Sequence, residues 1–122
     1  MAKILIVEDD EETRDILIAI MEKWGHEVVG VASTLKEALA EAKIAGTKEV
    51  QIAIVDGNLG SGADETKDGE AVSAELREYA PDVRIIAHTL QENGDYGHFF
   101  VPKDSPLSNL KGAIEKALTN EL

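Results

Sequence analysis

A chain of 122 residues has room for one domain of the commonest size, and its 43% hydrophobic and 30% charged residues strike a globular balance. Twenty-four acidic residues stand against twelve basic ones, a net charge of -12 that repels nucleic-acid phosphates and anionic lipid, so neither is an expected partner. With no cysteine, a thiol nucleophile, a disulfide framework and a thiolate metal site are excluded, and no apolar stretch approaches the ~20 residues of a membrane span, which together predict a soluble protein of the cytoplasm.

Residues Lys3 to Val7 read as a first strand, since the apolar run after Met1-Ala2 is too short for a secretory signal and lacks a small-residue cleavage site. It runs directly into acid: six carboxylates lie between Glu8 and Asp15, a local negative potential that asks for a cation. Ile16, Leu17, Ile20, Met21 and Trp24 then form the stripe of a helix stopped at Gly25, with Asp10 among its first-turn acids. A second strand over Val28 to Ala32 leads to a helix carrying Leu35, Ala38, Leu39 and Ala42, for which Ser33 is the expected cap and Gly46 the expected stop.

The third strand, Gln51 to Val55, ends at Asp56. Gly57, Gly60, Gly62 and the polar run Asp64-Glu65-Thr66-Lys67 form a loop suited to a lid or a partner contact, followed by a helix from about Gly69 to Tyr79 with Val72 and Leu76 inward. Pro81 disfavours helix in the residue before it. The fourth strand, Val83 to Ala87, leads into His88 and Thr89. The segment from Gln91 to Gly97 contains two glycines and little helical pattern. The fifth strand, Phe99 to Val101, leads through Pro102 to Lys103. Leu107, Leu110, Ile114, Ala117 and Leu118 then mark a last helix, with Ser105 expected to cap it and Pro106 to take its first position.

Strands alternating with helices predict a three-layer α/β sandwich around a parallel sheet. Ligands of such sheets bind outside the carboxyl ends of the strands, where strand order reverses. Those ends carry Glu8, Asp9 and Asp10, then Asp56, Thr89 and Lys103. Gathered carboxylates repel one another unless a hard cation such as Mg2+ neutralises them, and a nearby hydroxyl and ammonium suit phosphoryl oxygens.

Ile4-Leu5-Ile6-Val7-Glu8-Asp9, Ile54-Val55-Asp56, Ile85-Ile86-Ala87-His88-Thr89 and Phe100-Val101-Pro102-Lys103 resemble, in order and spacing, the motifs of the receiver domains of two-component response regulators. The resemblance extends over residues 1–122. It implies a flavodoxin-like, doubly wound five-stranded parallel sheet in the order 2-1-3-4-5, with Asp56 as phosphoacceptor. By the same resemblance Glu8 and Asp9 are the acidic pair that holds Mg2+, with Asp9 the more direct ligand, joined by Asp56 and the backbone carbonyl of Asn58. Thr89 matches the hydroxyl that moves toward the phosphoryl group, Lys103 the lysine that pairs with its oxygen, and Phe100 the aromatic whose rotamer follows Thr89. The function so implied is phosphorelay signalling, with a histidine kinase or histidine phosphotransfer protein as donor and slow self-dephosphorylation.

Several positions depart from the family. Gly60 replaces a proline, the loop after Asp56 is longer, Leu90 stands where a small residue is usual, which predicts hindered access to the acceptor and slow turnover, and Asp104 follows Lys103 in place of proline. The stretch from Thr89 to Lys103 is short, so the fourth helix is expected to be shortened or missing, and with it part of the face the family uses for output. A pseudo-receiver, the same fold serving as a phosphorylation-independent binding module, is the competing reading. A flavin carrier is excluded by the carboxylates of the first loop, an aspartate phosphatase by Asn58 where a second aspartate is needed, and a zinc site by the isolation of His26, His88 and His98.

Overall fold

Apolar runs need cover on both faces, and five strands line up here side by side with the three most buried at the centre. In the computed structural model, which describes residues 1–62, 66–90 and 94–119, the strands are β1 (Lys3–Val7), β2 (Glu27–Ala32), β3 (Ile52–Val55), β4 (Arg84–Thr89) and β5 (Phe99–Pro102). All pair in parallel, in the order β2-β1-β3-β4-β5. The expected three-layer, doubly wound architecture is the one observed. Four helices cover it: α1 (Glu11–Lys23), α2 (Leu35–Ile44), α3 (Lys67–Tyr79) and α4 (Leu107–Leu118).

Alternation along the strands sorts their side chains into two cores. Leu5, Val7, Ala53, Val55, Ile85 and Ala87 pack on one face with Ala38, Ala42, Val72 and Leu76, the inward stripes of α2 and α3. Ile4, Ile6, Ile52, Ile54 and Ile86 pack on the other with Leu17, Met21, Leu110 and Ile114 of α1 and α4. Each such isoleucine or leucine contributes roughly 1.5–3 kcal/mol through burial. The strands that carry most of these residues, β1, β3 and β4, are also the ones whose ends bear Glu8, Asp56 and Thr89.

Helix ends differ from expectation in instructive ways. Asp10 precedes α1 as its cap, its Oδ2 accepting from Thr13 N at 2.9 Å, so it is not a first-turn acid. Ser33 and Thr34 are both hydroxyls able to cap α2, and Thr34 does so by accepting from Glu37 N at 3.1 Å. Ser33 instead donates its backbone N–H to Glu37 Oε1 at 2.8 Å, the other half of a reciprocal box. At α4 the expected Ser105 cap does not form, because its hydroxyl donates to Pro102 O at 2.6 Å and Pro106 itself occupies the cap position. Gly25 does stop α1: at φ 86 it donates to Glu22 O while His26 N reaches Met21 O, the Schellman pattern. Gly46 takes no left-handed conformation, and Glu49, at φ 59, does so near the end of the α2–β3 connection.

The described residues between β4 and β5 contain no helix, in keeping with a fourth helix that is shortened or missing. Gly97 N donates to Gly94 O at 3.2 Å, closing a turn that carries Tyr96. The chain then rejoins β4, where His98 N donates to Ile85 O at 2.7 Å and Ile85 N to His98 Nδ1 at 2.8 Å. Tyr96 is buried, and its ring lies against Gly69 of α3 so closely that a Cβ there would sit 2.8 Å from the ring. Residues 91–93, and Asp64 and Glu65 of the long loop, lie outside the described residues.

Candidate functional site

Because β1 and β3 are neighbours whose connections leave in opposite directions, a crevice opens at their carboxyl ends. Glu8 and Asp56 are the next residues of the two chains there, tied to the sheet by Glu8 N donating to Ala32 O and Asp56 N to Val7 O, at 3.0 and 2.9 Å. Arg14, one turn into α1, donates to the carbonyls of Glu8 and Asp9 at 3.2 and 3.4 Å and fixes the turn that presents the acids. Lys103, anchored by its N–H on Thr89 O at 3.1 Å, reaches across β4 from the end of β5. Its Nζ donates to Glu8 Oε2 at 2.9 Å and to Asp56 Oδ2 at 3.0 Å, and lies 2.8 Å from Glu8 Oε1.

Glu8 and Asp56 are buried and Asp9 is exposed, yet one oxygen of each lies within 4.8 Å of the others. One ammonium cannot balance three carboxylates in so confined a volume. Burial pushes the Glu8 carboxyl up to about 7, the Asp56 charge adding to the effect and the Lys103 hydrogen bond opposing it. The Asp56 carboxyl is also raised, first by burial, against the pull of Lys103. Burial works against the Lys103 ammonium, but its bonds to Glu8 and Asp56 outweigh that and hold it above the ordinary lysine value. Both Glu8 oxygens lie against the single Lys103 ammonium, which Asp56 also shares. Three hard oxygen donors at this separation, with one ammonium shared between two of the carboxylates, fit a hard divalent cation such as Mg2+.

The other expected residues fall around this centre. Thr89 is buried at the end of β4, and a Cβ on Gly57, the residue after Asp56, would lie 3.1 Å from its hydroxyl. Asn58 directs its N–H at Asp56 Oδ1, at 3.5 Å, and its own Oδ1 accepts from Gly60 N at 2.8 Å. Phe100 points out of β5, 41% exposed, with its ring stacked over Gly94. Leu90 is 70% exposed. His88 is buried, its Nδ1 has no partner, and burial lowers its pKa to about 4, with the Lys103 charge adding to the effect.

Two residues that organise the site have no counterpart in the sequence reading. Asp68, in the first turn of α3, is buried and accepts from Leu59 N at 2.8 Å, from Ser61 N at 3.4 Å and from the Ser61 hydroxyl. One carboxylate thus ties down the loop that leaves Asp56, and its only sequence signal is an acid beside Gly69 at a helix start. Tyr96, the second, donates its hydroxyl to Val55 O at 2.7 Å, one residue before Asp56. An aromatic in a glycine-bearing turn gives no periodic signal of that burial.

A family model described as the response regulator receiver domain matches residues 4–105. No curated protein matches the chain. Among solved structures it is similar to a CheY-like response regulator receiver domain protein from Methanospirillum hungatei JF-1, at 23% identity and a TM-score of 0.80, over 98% of this chain and 95% of that one. It is similar as well to the response regulator TrrA from Thermotoga maritima, solved in complex with Mg(2+)-BeF, at 24% identity and a TM-score of 0.79, over 96% of this chain and 99% of that one. A third likeness is to the signal receiver domain of a modulated diguanylate cyclase from Desulfovibrio desulfuricans G20, an example of alternate folding, at 24% identity and a TM-score of 0.79, over 98% and 95% of the two chains. At these identities the structural likeness speaks for the fold.

Proposed function

Since the chain belongs to the response regulator receiver domain family, whose members act in phosphorelay signalling, we propose that Asp56 is its phosphoacceptor and that a phosphohistidine of a histidine kinase or histidine phosphotransfer protein is the donor. One carboxylate oxygen of Asp56 forms the bond to phosphorus, the phosphorus–nitrogen bond breaks, and its electron pair returns to the donor imidazole. Lys103, already 3.0 Å from Asp56 Oδ2, pairs with a phosphoryl oxygen, and Thr89 offers its hydroxyl to another. Glu8, Asp9, Asp56 and the Asn58 carbonyl would hold Mg2+, which neutralises charge on phosphoryl oxygens. Water attacking the acyl phosphate returns Asp56 to its carboxylate, a slow self-dephosphorylation. Phe100, now outward, follows Thr89 when the hydroxyl moves. The setting that fits this chemistry is the cytoplasm.

The observation that carries the reading is the meeting of Glu8, Asp9 and Asp56 within 4.8 Å beneath the Lys103 ammonium. The test is incubation with a small acyl phosphate and Mg2+, read by intact-protein mass. The parent should gain one phosphoryl group and Asp56→Asn none. A parent that gains nothing overturns the proposal in favour of the pseudo-receiver, a reading that the lack of a helix between β4 and β5 among the described residues supports.

A further inference from the structure

The backbone on both sides of Asp56 is held from one direction. On the near side Val55 O accepts the Tyr96 hydroxyl at 2.7 Å, and on the far side Gly57 O accepts Gly69 N at 2.9 Å. These two holds are one unit, because the Tyr96 ring rests on the α-carbon of Gly69: a Cβ there would meet ring carbons at 2.8 and 3.0 Å and Gly57 Cα at 2.9 Å. Tyr96 is therefore wedged between the acceptor strand and the start of α3, and it is buried throughout.

The segment that carries Tyr96 is itself pinned to the sheet. Gly97 passes so close to β4 that a Cβ would lie 2.7 Å from Ala87 N and 3.0 Å from Ile85 O. At its other end Gly94 supports the exposed Phe100 ring, which a Cβ would meet at 2.3 Å. The turn from Gly94 to Gly97 thus touches both the backbone at Asp56 and the outward aromatic of β5.

Resting on Asp56 as the acceptor, we propose that Tyr96 is a positioning residue for it, and that the Gly94–Gly97 turn is the element through which a change at Asp56 reaches the β5 surface. Phosphorylation adds bulk and charge to a residue whose flanking carbonyls are both held, so any shift of the acceptor turn must move the Tyr96 hydroxyl or break its bond. The same contact acts in reverse, since loss of the hydroxyl loosens the carbonyl next to the nucleophile.

The test uses the full chain labelled with 3-fluorotyrosine, whose two signals are assigned with Tyr79→Phe, Tyr79 being half exposed and far from the turn in sequence. On treatment with a small acyl phosphate and Mg2+, the Tyr96 signal should shift as Asp56 gains its phosphoryl mass, while the Tyr79 signal stays in place. In parallel, Tyr96→Phe, which keeps the ring and loses one neutral hydrogen bond, should slow phosphoryl uptake about three- to tenfold at saturating Mg2+. An unmoved Tyr96 signal on a protein that has gained the phosphoryl mass overturns the proposal and leaves the acceptor reading intact. So does an unchanged uptake rate in a folded Tyr96→Phe. A parent that gains no mass overturns both.

Discussion

Lys103 Nζ and the Glu8 carboxylate, 95 residues apart in the chain, meet at 2.9 Å with both groups largely withdrawn from water. Glu8 alone does not give Lys103 a neutral setting, because Asp56 shares the same ammonium at 3.0 Å. The centre therefore carries more negative charge than its own residues balance, and most of the predictions below follow from that excess.

Replacing Glu8 with Gln should stabilise the metal-free protein at alkaline pH. The Glu8 carboxyl titrates at about 7 in the fold against an ordinary 4.5, so its contribution is fully present below 4.5 and is lost as pH rises through 7. That loss amounts to up to about 3 kcal/mol, which Glu8→Gln removes. Urea unfolding at pH 5 and pH 8 should show a smaller fall for the variant than for the parent. The same substitution should weaken Mg2+ binding at least tenfold by isothermal titration, a stability gain set against function.

His88 works in the opposite direction. Its buried ring titrates near 4 instead of 6.5, so the unfolded chain takes up the proton first and stability falls as pH drops through 6.5 toward 4. The full effect is at most about 3 kcal/mol. His88→Gln should flatten this acid limb, and equal loss of stability between pH 6.5 and 4.5 in variant and parent would show that another group is responsible.

Asp68→Ala should loosen the loop after Asp56 without touching the acceptor. It strips a buried charged acceptor from Leu59 N, Ser61 N and the Ser61 hydroxyl, at a cost of about 2–4 kcal/mol. Amide exchange at Leu59 should accelerate by at least tenfold while that of Ile54, in the centre of β3, follows only the global change.

Gly57→Ala should interfere with Thr89. The added methyl would lie 2.9 Å from Thr66 Cγ2 and 3.1 Å from the Thr89 hydroxyl, so one of these side chains must give way, at about 1–3 kcal/mol. The rate of phosphoryl uptake from a small acyl phosphate should fall in the folded variant and in Thr89→Val, and an unaltered rate in folded Thr89→Val would remove Thr89 from the mechanism.

The strands were legible because β1, β3 and β4 are largely apolar runs, a pattern that a sheet buried on both faces rewards, while their order was implied by the resemblance of the strand-end motifs to those of receiver domains. Glu8, Asp56 and Lys103 come together because each is the first residue beyond a strand of this parallel sheet, with Asp9 following Glu8. Helix caps were less legible, since Ser33 and Thr34 are equivalent as hydroxyls and only the position of Glu37 decides between them. Asp68 and Tyr96 escaped notice because what gives them their role is a burial and a set of distant partners that no spacing along the chain encodes. Pro102 lies in β5, the strand at one edge of the sheet, where a residue without an N–H is tolerated.

That position has a use of its own. An outermost strand offers a row of unpaired backbone groups on which another chain can build, and β5, though short, carries no charge of its own to discourage it. Pro102 has no N–H to offer, and Lys103 next to it turns inward to the acids. The ladder that could recruit a neighbouring molecule stops one residue short of the lysine, which helps keep the crevice from being sealed by uncontrolled strand-to-strand assembly.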